Sequence, residues 1–190
     1  MKTRVGVVLA GGRSQRMEGV DKAWVLLAGK PMIEHVVDAL RPVVDRVVII
    51  ANEQLSRHAS VADEVLSDSP GSGHGPLAGV VTALSHIPDV NMLITACDLP
   101  SLTTRTWNSL LGHPARSAYL QCHGDGVLCI KLDHRDAERW LESGRKRGSL
   151  FMAMQALGIP GADIEVDHRE AMNCNRPVDI EACEQWIQSR

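Results

Sequence analysis

Val5-Gly-Val-Val-Leu-Ala-Gly-Gly12 sets the architecture. Apart from Gly6, Val5 to Leu9 holds only valine and leucine, and Gly11-Gly12 ends the run. Such a stretch reads as a strand buried on both faces that stops at a glycine loop. Outward from it, Pro31 suits the first position of a helix, and Ile33, Val36, Val37 and Leu40 then share one helical face. Val47-Val-Ile-Ile50 repeats the buried-strand pattern, and Val65-Leu66 repeats it more weakly. Leu77, Val80, Val81 and Leu84 recur at helical spacing, and Met92-Leu-Ile94 forms a strand that stops at Asp98-Leu-Pro100. Strands alternating with helices across short connections predict an α/β fold, with a three-layer, mostly parallel sheet and helices on both faces. Ligands of such sheets bind beyond the carboxyl ends of the strands. The segments 9–17, 68–76 and 97–100, each polar or glycine-rich at a strand end, are therefore expected to face one crevice.

The second half is less regular. Tyr119–Cys122 and Val127–Ile130 predict paired strands around Gly124-Asp-Gly126. Helices are expected over Asp136–Glu142, Leu150–Leu157 and Val178–Ile187, with a short strand over Ile164–Val166. No linker, repeat or low-complexity tract interrupts the chain, and 190 residues suit a single domain spanning 1–190.

Composition excludes some functions. Net charge is −3, with acids and bases interspersed, so no basic stripe points to nucleic acid. The first apolar run is too short to cross a membrane or to act as a secretory leader. The five cysteines, Cys97, Cys122, Cys129, Cys174 and Cys183, show no CxxC spacing. They read as reduced thiols of a cytoplasmic protein.

The loop after the first strand carries the chemistry. Gly11 and Gly12 allow the backbone to approach a ligand closely, and successive amides at such a turn cradle phosphate oxygens. Arg13, Arg16 and Lys22 add charge-assisted donors, and Ser14 adds a hydroxyl. The segment is neither a G-x-x-x-x-G-K-[ST] loop nor a G-x-G-x-x-G dinucleotide fingerprint. Asp98 follows a buried strand, so its carboxylate should emerge at the crevice, where a hard oxygen ligand suits Mg²⁺; a cap or turn role is the plainer alternative. Asp68 has a similar setting; Ser69-Pro70 also suits a simple Asx-turn, and nucleotide contact is the mildly favoured reading. His74, His123 and the basic run Arg145-Lys-Arg147 read as surface groups, and the tryptophans as core.

Leu9-Ala-Gly-Gly-x-Ser-x-Arg-Met-x-Gly-x-Asp-Lys22 resembles the signature of the molybdenum cofactor guanylyltransferases, a branch of the sugar-phosphate and cofactor nucleotidyltransferases. The likeness continues through Gly29-Lys-Pro31, His35-Val36, Ala39-Leu40, Asp68, Gly75-Pro-Leu-Ala-Gly79, Cys97-Asp98 and Asn173-Cys-Asn175. The resemblance implies a Rossmann-like nucleotidyltransferase fold. It also implies that Leu9, Ala10, Gly11, Gly12, Ser14, Gly75 and Pro76 contact a guanosine nucleotide together with Asp68. Arg16 and Lys22 would hold the phosphates, Asp98 both nucleotide and Mg²⁺, and Asn173 and Asn175 would lie on the acceptor side. The chain departs from the pattern at Glu18, at Ile50 (where a relative would offer a polar nucleotide contact), at Arg176, and over Cys122–Val127.

The expected reaction moves GMP from GTP to the terminal phosphate of metal-bearing molybdopterin and releases pyrophosphate. Transient contacts with cofactor-synthesis or acceptor proteins are expected, and no contact with nucleic acid or membrane. A cytidylyltransferase of the same branch and a non-catalytic nucleotide or cofactor binder are the rival readings. Ala-Gly-Gly over residues 10–12 favours the guanylyl form, because cytidylyl relatives tend to have Ala-Ala-Gly there.

Overall fold

A computed structural model describes residues 2–11, 16–17, 20–68, 75–144 and 148–190. The chain runs β1 (Arg4–Leu9), β2 (Arg16–Met17), β3 (Val20–Asp21), β4 (Leu26–Leu27), β5 (Lys30–Pro31), α1 (Met32–Leu40), β6 (Arg46–Ile50), α2 (Leu55–His58), β7 (Glu64–Leu66) and α3 (Pro76–His86). It continues through β8 (Asn91–Ala96), α4 (Thr104–Gly112), β9 (Ala118–Cys122), β10 (Asp125–Leu132), α5 (Ala137–Gly144), α6 (Leu150–Leu157), β11 (Gly161–Asp163) and α7 (Pro177–Gln188). Seven strands form one sheet in the order β11-β9-β10-β8-β1-β6-β7. The pairings are parallel except where β10 meets β8 and β9, so β10 alone runs against the rest. β2–β3 and β4–β5 are small hairpins outside the sheet.

β1 lies inside the sheet, between β8 and β6, and its pleat explains the continuous apolar run. Val5, Val7 and Leu9 join a cluster with Val80, Leu84, Trp140 and Met154, under α3, α5 and α6. Val8 points the other way, into a cluster with Val36, Leu40, Trp107 and Leu110 from α1 and α4. Alternate side chains thus enter opposite cores, and both must be apolar. Among the described residues no helix is long and apolar enough to cross a membrane.

The structure departs from the sequence-based expectations in three places. The strand expected over Ile164–Val166 lies instead at Gly161–Asp163, paired with β9, while Ile164 and Val166 pack from a loop onto the α1/α4 side. Helix α4 has no clear signal in the sequence: Thr104, Thr106, Asn108 and Ser109 are weak helix formers, and burial of Trp107 and Leu110 holds it in place. Cys174 and Cys183, expected as reduced thiols, form a disulfide in the structure, where both are buried in one cluster with Leu27 and Met32. Cys97, Cys122 and Cys129 are buried and not disulfide-bonded.

His58 closes α2 in an unusual setting. It is fully buried, its ring lies 5.2 Å from that of Trp24, and neither ring nitrogen has a hydrogen-bond partner among the described residues. Burial pushes its pKa below the usual histidine value, Asp21 opposes this, and Arg57 adds to it. The neutral ring is thus the folded form, and the unfolded chain binds the extra proton once pH falls below about 6.5. Stability should be full above that pH and decline as acid is added. His58→Leu should decline less between about pH 7 and pH 5, measured by urea midpoints; parallel pH profiles for the two proteins would refute this.

Candidate active site

The described parts of the three strand ends singled out in the sequence lie along one edge. Beyond the regular ladders, the Ala10 N–H donates to the Ile50 carbonyl at 2.8 Å, the Cys97 N–H to the Leu9 carbonyl at 3.1 Å, and the Ala51 N–H to the Leu66 carbonyl at 2.9 Å. These bonds hold the chains level until they diverge. Gly11, Asn52, Asp68 and Asp98 therefore stand together along one carboxyl edge of the sheet.

Lys22 is brought to this edge by a 3₁₀ turn, Lys22–Trp24, whose first residue is preceded by Asp21 accepting from the Ala23 N–H at 3.0 Å. The lysine is 1% exposed, and its ammonium donates to Asp98 Oδ2 at 3.0 Å and to Asn175 Oδ1. Asp98 is held in turn by its backbone, whose carbonyl accepts from the Cys174 N–H at 2.8 Å. The Asn175 and Arg176 N–H groups both donate to Asp179 Oδ2, at 3.1 and 2.8 Å, so the first turn of α7 fixes the asparagine. Three segments far apart in sequence converge on one ammonium.

Two features of this centre lack a partner among the described residues. An ammonium carries three donors, and the two bonds described leave one. Asp98 Oδ1 is buried and has no hydrogen-bond partner among the described residues. A buried carboxylate oxygen left without a donor is costly unless a ligand supplies the missing interaction. No group of three or more His, Cys, Asp or Glu side chains capable of holding a metal occurs among the described residues. One carboxylate with a spare oxygen fits Mg²⁺, which keeps waters and takes substrate phosphates as ligands, better than it fits a resident zinc or calcium.

The second part of the edge is polar and interlocked. Asn52 Nδ2 donates to Asp68 Oδ2 at 3.2 Å, and the Asp68 N–H returns a bond to Asn52 Oδ1 at 2.9 Å. The pair lies against Gly11: a Cβ there would come 3.3 Å from Asn52 Nδ2 and 3.6 Å from Asp68 Oδ2. Asp68 is thus more than a local turn residue. Sequence reasoning misses Asn52, because it looks for the polar contact at Ile50. Ile50 is 1% exposed and packs in the core, because β6 keeps its pleat to that point and the chain leaves the sheet only two residues later. The signal available is an asparagine just past a buried strand.

Other expected residues divide as follows. Leu9 and Ala10 are buried at the end of β1, and Gly75, at φ +86°, precedes Pro76 at the start of α3. A Cβ on Gly79 would meet Leu9 Cδ2 at 2.8 Å, so the glycine permits α3 to press against β1. Asn173 is exposed on the turn before Asn175. Gly12, Arg13, Ser14, Glu18, His74 and Arg145–Arg147 lie outside the described residues; Arg16 is described only as backbone, paired with Asp21.

Comparison with known proteins places the chain in a family. The model of the MobA-like NTP transferase domain matches residues 6–156. The chain belongs to this family. It is thus a nucleotidyltransferase by family. It is 33% identical over 184 residues to the molybdenum cofactor guanylyltransferase of Shewanella amazonensis, covering 92% of each chain. A second relative of that name, from Shewanella sediminis, is 32% identical over 179 residues, covering 90% of each. Among solved structures, molybdopterin-guanine dinucleotide biosynthesis protein A from Archaeoglobus fulgidus superposes with a TM-score of 0.78 at 20% identity, covering 99% of this chain and 100% of that one. The α/β fold, with its mostly parallel sheet covered on both faces, is that of the MobA-like transferases.

Proposed function

We propose that this MobA-like transferase moves GMP from GTP to the terminal phosphate of metal-bearing molybdopterin, forming the guanine dinucleotide cofactor. The observation that carries the reading is the Lys22–Asp98 pair at the sheet edge, its lysine buried, with one carboxylate oxygen and one ammonium proton unused among the described residues. The relatives' names supply the base and the acceptor.

In this reading Lys22 directs its third N–H to the triphosphate, joined by the amides of Gly11 and Gly12, the Ser14 hydroxyl and the charge of Arg16. Leu9, Ala10, Asn52, Asp68, Gly75 and Pro76 surround the nucleoside. Asp98 would hold Mg²⁺, and the ion would supply positive charge against the phosphates. Asn175 keeps the ammonium aimed, and Asn173 stands beside it for the acceptor. An ionised phosphate oxygen of the acceptor forms a bond to the α-phosphorus while the bond from that phosphorus to the bridging oxygen breaks, and pyrophosphate leaves. The attacking oxygen carries no proton, so no side chain has to act as base. Rate enhancement comes from positioning and from charge placed in advance. We place the reaction in the cytoplasm, where nucleoside triphosphates are supplied.

Titration calorimetry with GTP, CTP and ATP, each with and without Mg²⁺, tests the reading. GTP should bind at least about tenfold more tightly than the other two, which corresponds to roughly 1.4 kcal/mol, and Mg²⁺ should strengthen it. Preference for CTP would replace the guanylyl assignment with a cytidylyl one. Binding without pyrophosphate release on addition of acceptor would make the protein a carrier.

A further inference from the structure

Thr82 has a bond that its position in a helix does not require. It lies in α3, 2% exposed, in a segment otherwise made of small and apolar residues. A threonine inside a helix commonly turns its hydroxyl back to a carbonyl one turn earlier. Here the Thr82 hydroxyl crosses to the sheet edge and donates to Asp68 Oδ1 at 2.9 Å. The other carboxylate oxygen, Oδ2, accepts from Asn52, and the Asp68 N–H donates to the same asparagine. Both oxygens and the backbone of Asp68 are therefore tied. α3 is itself pressed onto β1 at Gly79, one turn before Thr82, so the hydroxyl is delivered from a rigid support.

A carboxylate has about four acceptor sites, and two are used among the described residues. Asn52 keeps a second amide hydrogen. The exposed side of the pair thus combines spare acceptor capacity with a single donor. Guanine presents two adjacent donors, N1–H and the 2-amino group, beside an acceptor at O6. Cytosine and adenine each present one donor group next to acceptors and cannot use that acceptor capacity in the same way.

We infer that Thr82 is a positioning residue that sets nucleobase preference by fixing the Asp68 carboxylate for a purine bearing adjacent N–H donors. The inference rests on the proposed contact between Asp68 and the nucleotide. A freely rotating Asp68 would present its oxygens in several orientations, and selective pairing requires one.

The experiment compares the affinities of GTP, ATP and CTP in the presence of Mg²⁺ for the native protein, Thr82→Val, Thr82→Ser and Asp68→Ala. Thr82→Val keeps the shape and removes the hydroxyl. It should weaken GTP about tenfold, the scale of one hydrogen bond to a charged group, and leave ATP and CTP within about twofold. Thr82→Ser, which restores the donor, should return the GTP preference. A helix-compatible Thr82→Ala makes the same comparison if the valine variant does not fold. If Thr82→Val retains the preference while Asp68→Ala loses it, Asp68 reads the base unaided and the inference about Thr82 fails alone. If Thr82→Ser behaves as Thr82→Val, packing rather than the hydroxyl matters, and the inference also fails. If Asp68→Ala keeps the native preference, the contact between Asp68 and nucleotide falls and Thr82 falls with it.

Discussion

Asp98→Asn should lower turnover on the order of 10²–10³-fold, the scale seen when one preorganised electrostatic group is removed from a transferring centre. The substitution is close to isosteric and keeps an oxygen for Lys22, so the loss isolates charge from shape. The side chain stands at the end of β8 with one oxygen on the lysine and the other buried without a partner among the described residues. An amide in its place binds a divalent ion poorly, since hard cations prefer anionic oxygen. Affinity for GTP measured without Mg²⁺ should change by no more than about threefold, because a neutral side chain adds no repulsion toward phosphate. The strengthening by Mg²⁺ should disappear. Pyrophosphate release within about tenfold of the native rate, still responding to Mg²⁺, would remove Asp98 from the centre.

Lys22→Met should be nearly as damaging and should act on a different quantity. Methionine retains the apolar stem and deletes three donors and one charge. GTP affinity should fall by about tenfold to a hundredfold, the range of charge-assisted hydrogen bonds lost to phosphate. Stability should also drop. Lys22 is almost fully enclosed, and its loss leaves the Asp98 carboxylate without its counter-ion. Removing one partner of a fully buried pair costs about 3–5 kcal/mol, and the 22% exposure of the Asp98 side chain brings the expectation to about 1–3 kcal/mol. Urea unfolding and calorimetry with GTP measure the two effects separately. The double variant Lys22→Met/Asp98→Asn should be more stable than the sum of the single losses predicts, since neither charge is then left alone. Native GTP affinity in Lys22→Met would reduce the lysine to a structural counter-ion.

Much of this site is legible in the linear sequence. Gly11 and Asp98 follow apolar runs that could only be buried strands, and strand ends of a parallel sheet share one edge. Lys22 belongs to the same glycine-rich segment, which makes it a phosphate ligand by association. Its burial is not legible, because a lysine in a loop carries no mark of enclosure; that follows from the turn at residues 22–24 and from Asn175 arriving from the start of α7. Asn175 is expected beside the acceptor, yet its amide oxygen meets the lysine of the first loop. Asn52 escapes notice for a local reason: a lone asparagine after Ile50-Ala51 has turn chemistry of its own, and only its partner Asp68 identifies it.

The order of strands and helices and the edge at which ligand would bind follow from the linear pattern, because apolar periodicity and glycine placement are local properties of the backbone. Which side chains touch is not local. Lys22 with Asp98 and Asn175, Thr82 with Asp68, and Cys174 with Cys183 are contacts created when the turn at residues 22–24, α3 and α7 pack against the rest of the molecule. Those contacts depend on the relative placement of elements, which side-chain volume in the two cores determines and no single segment encodes.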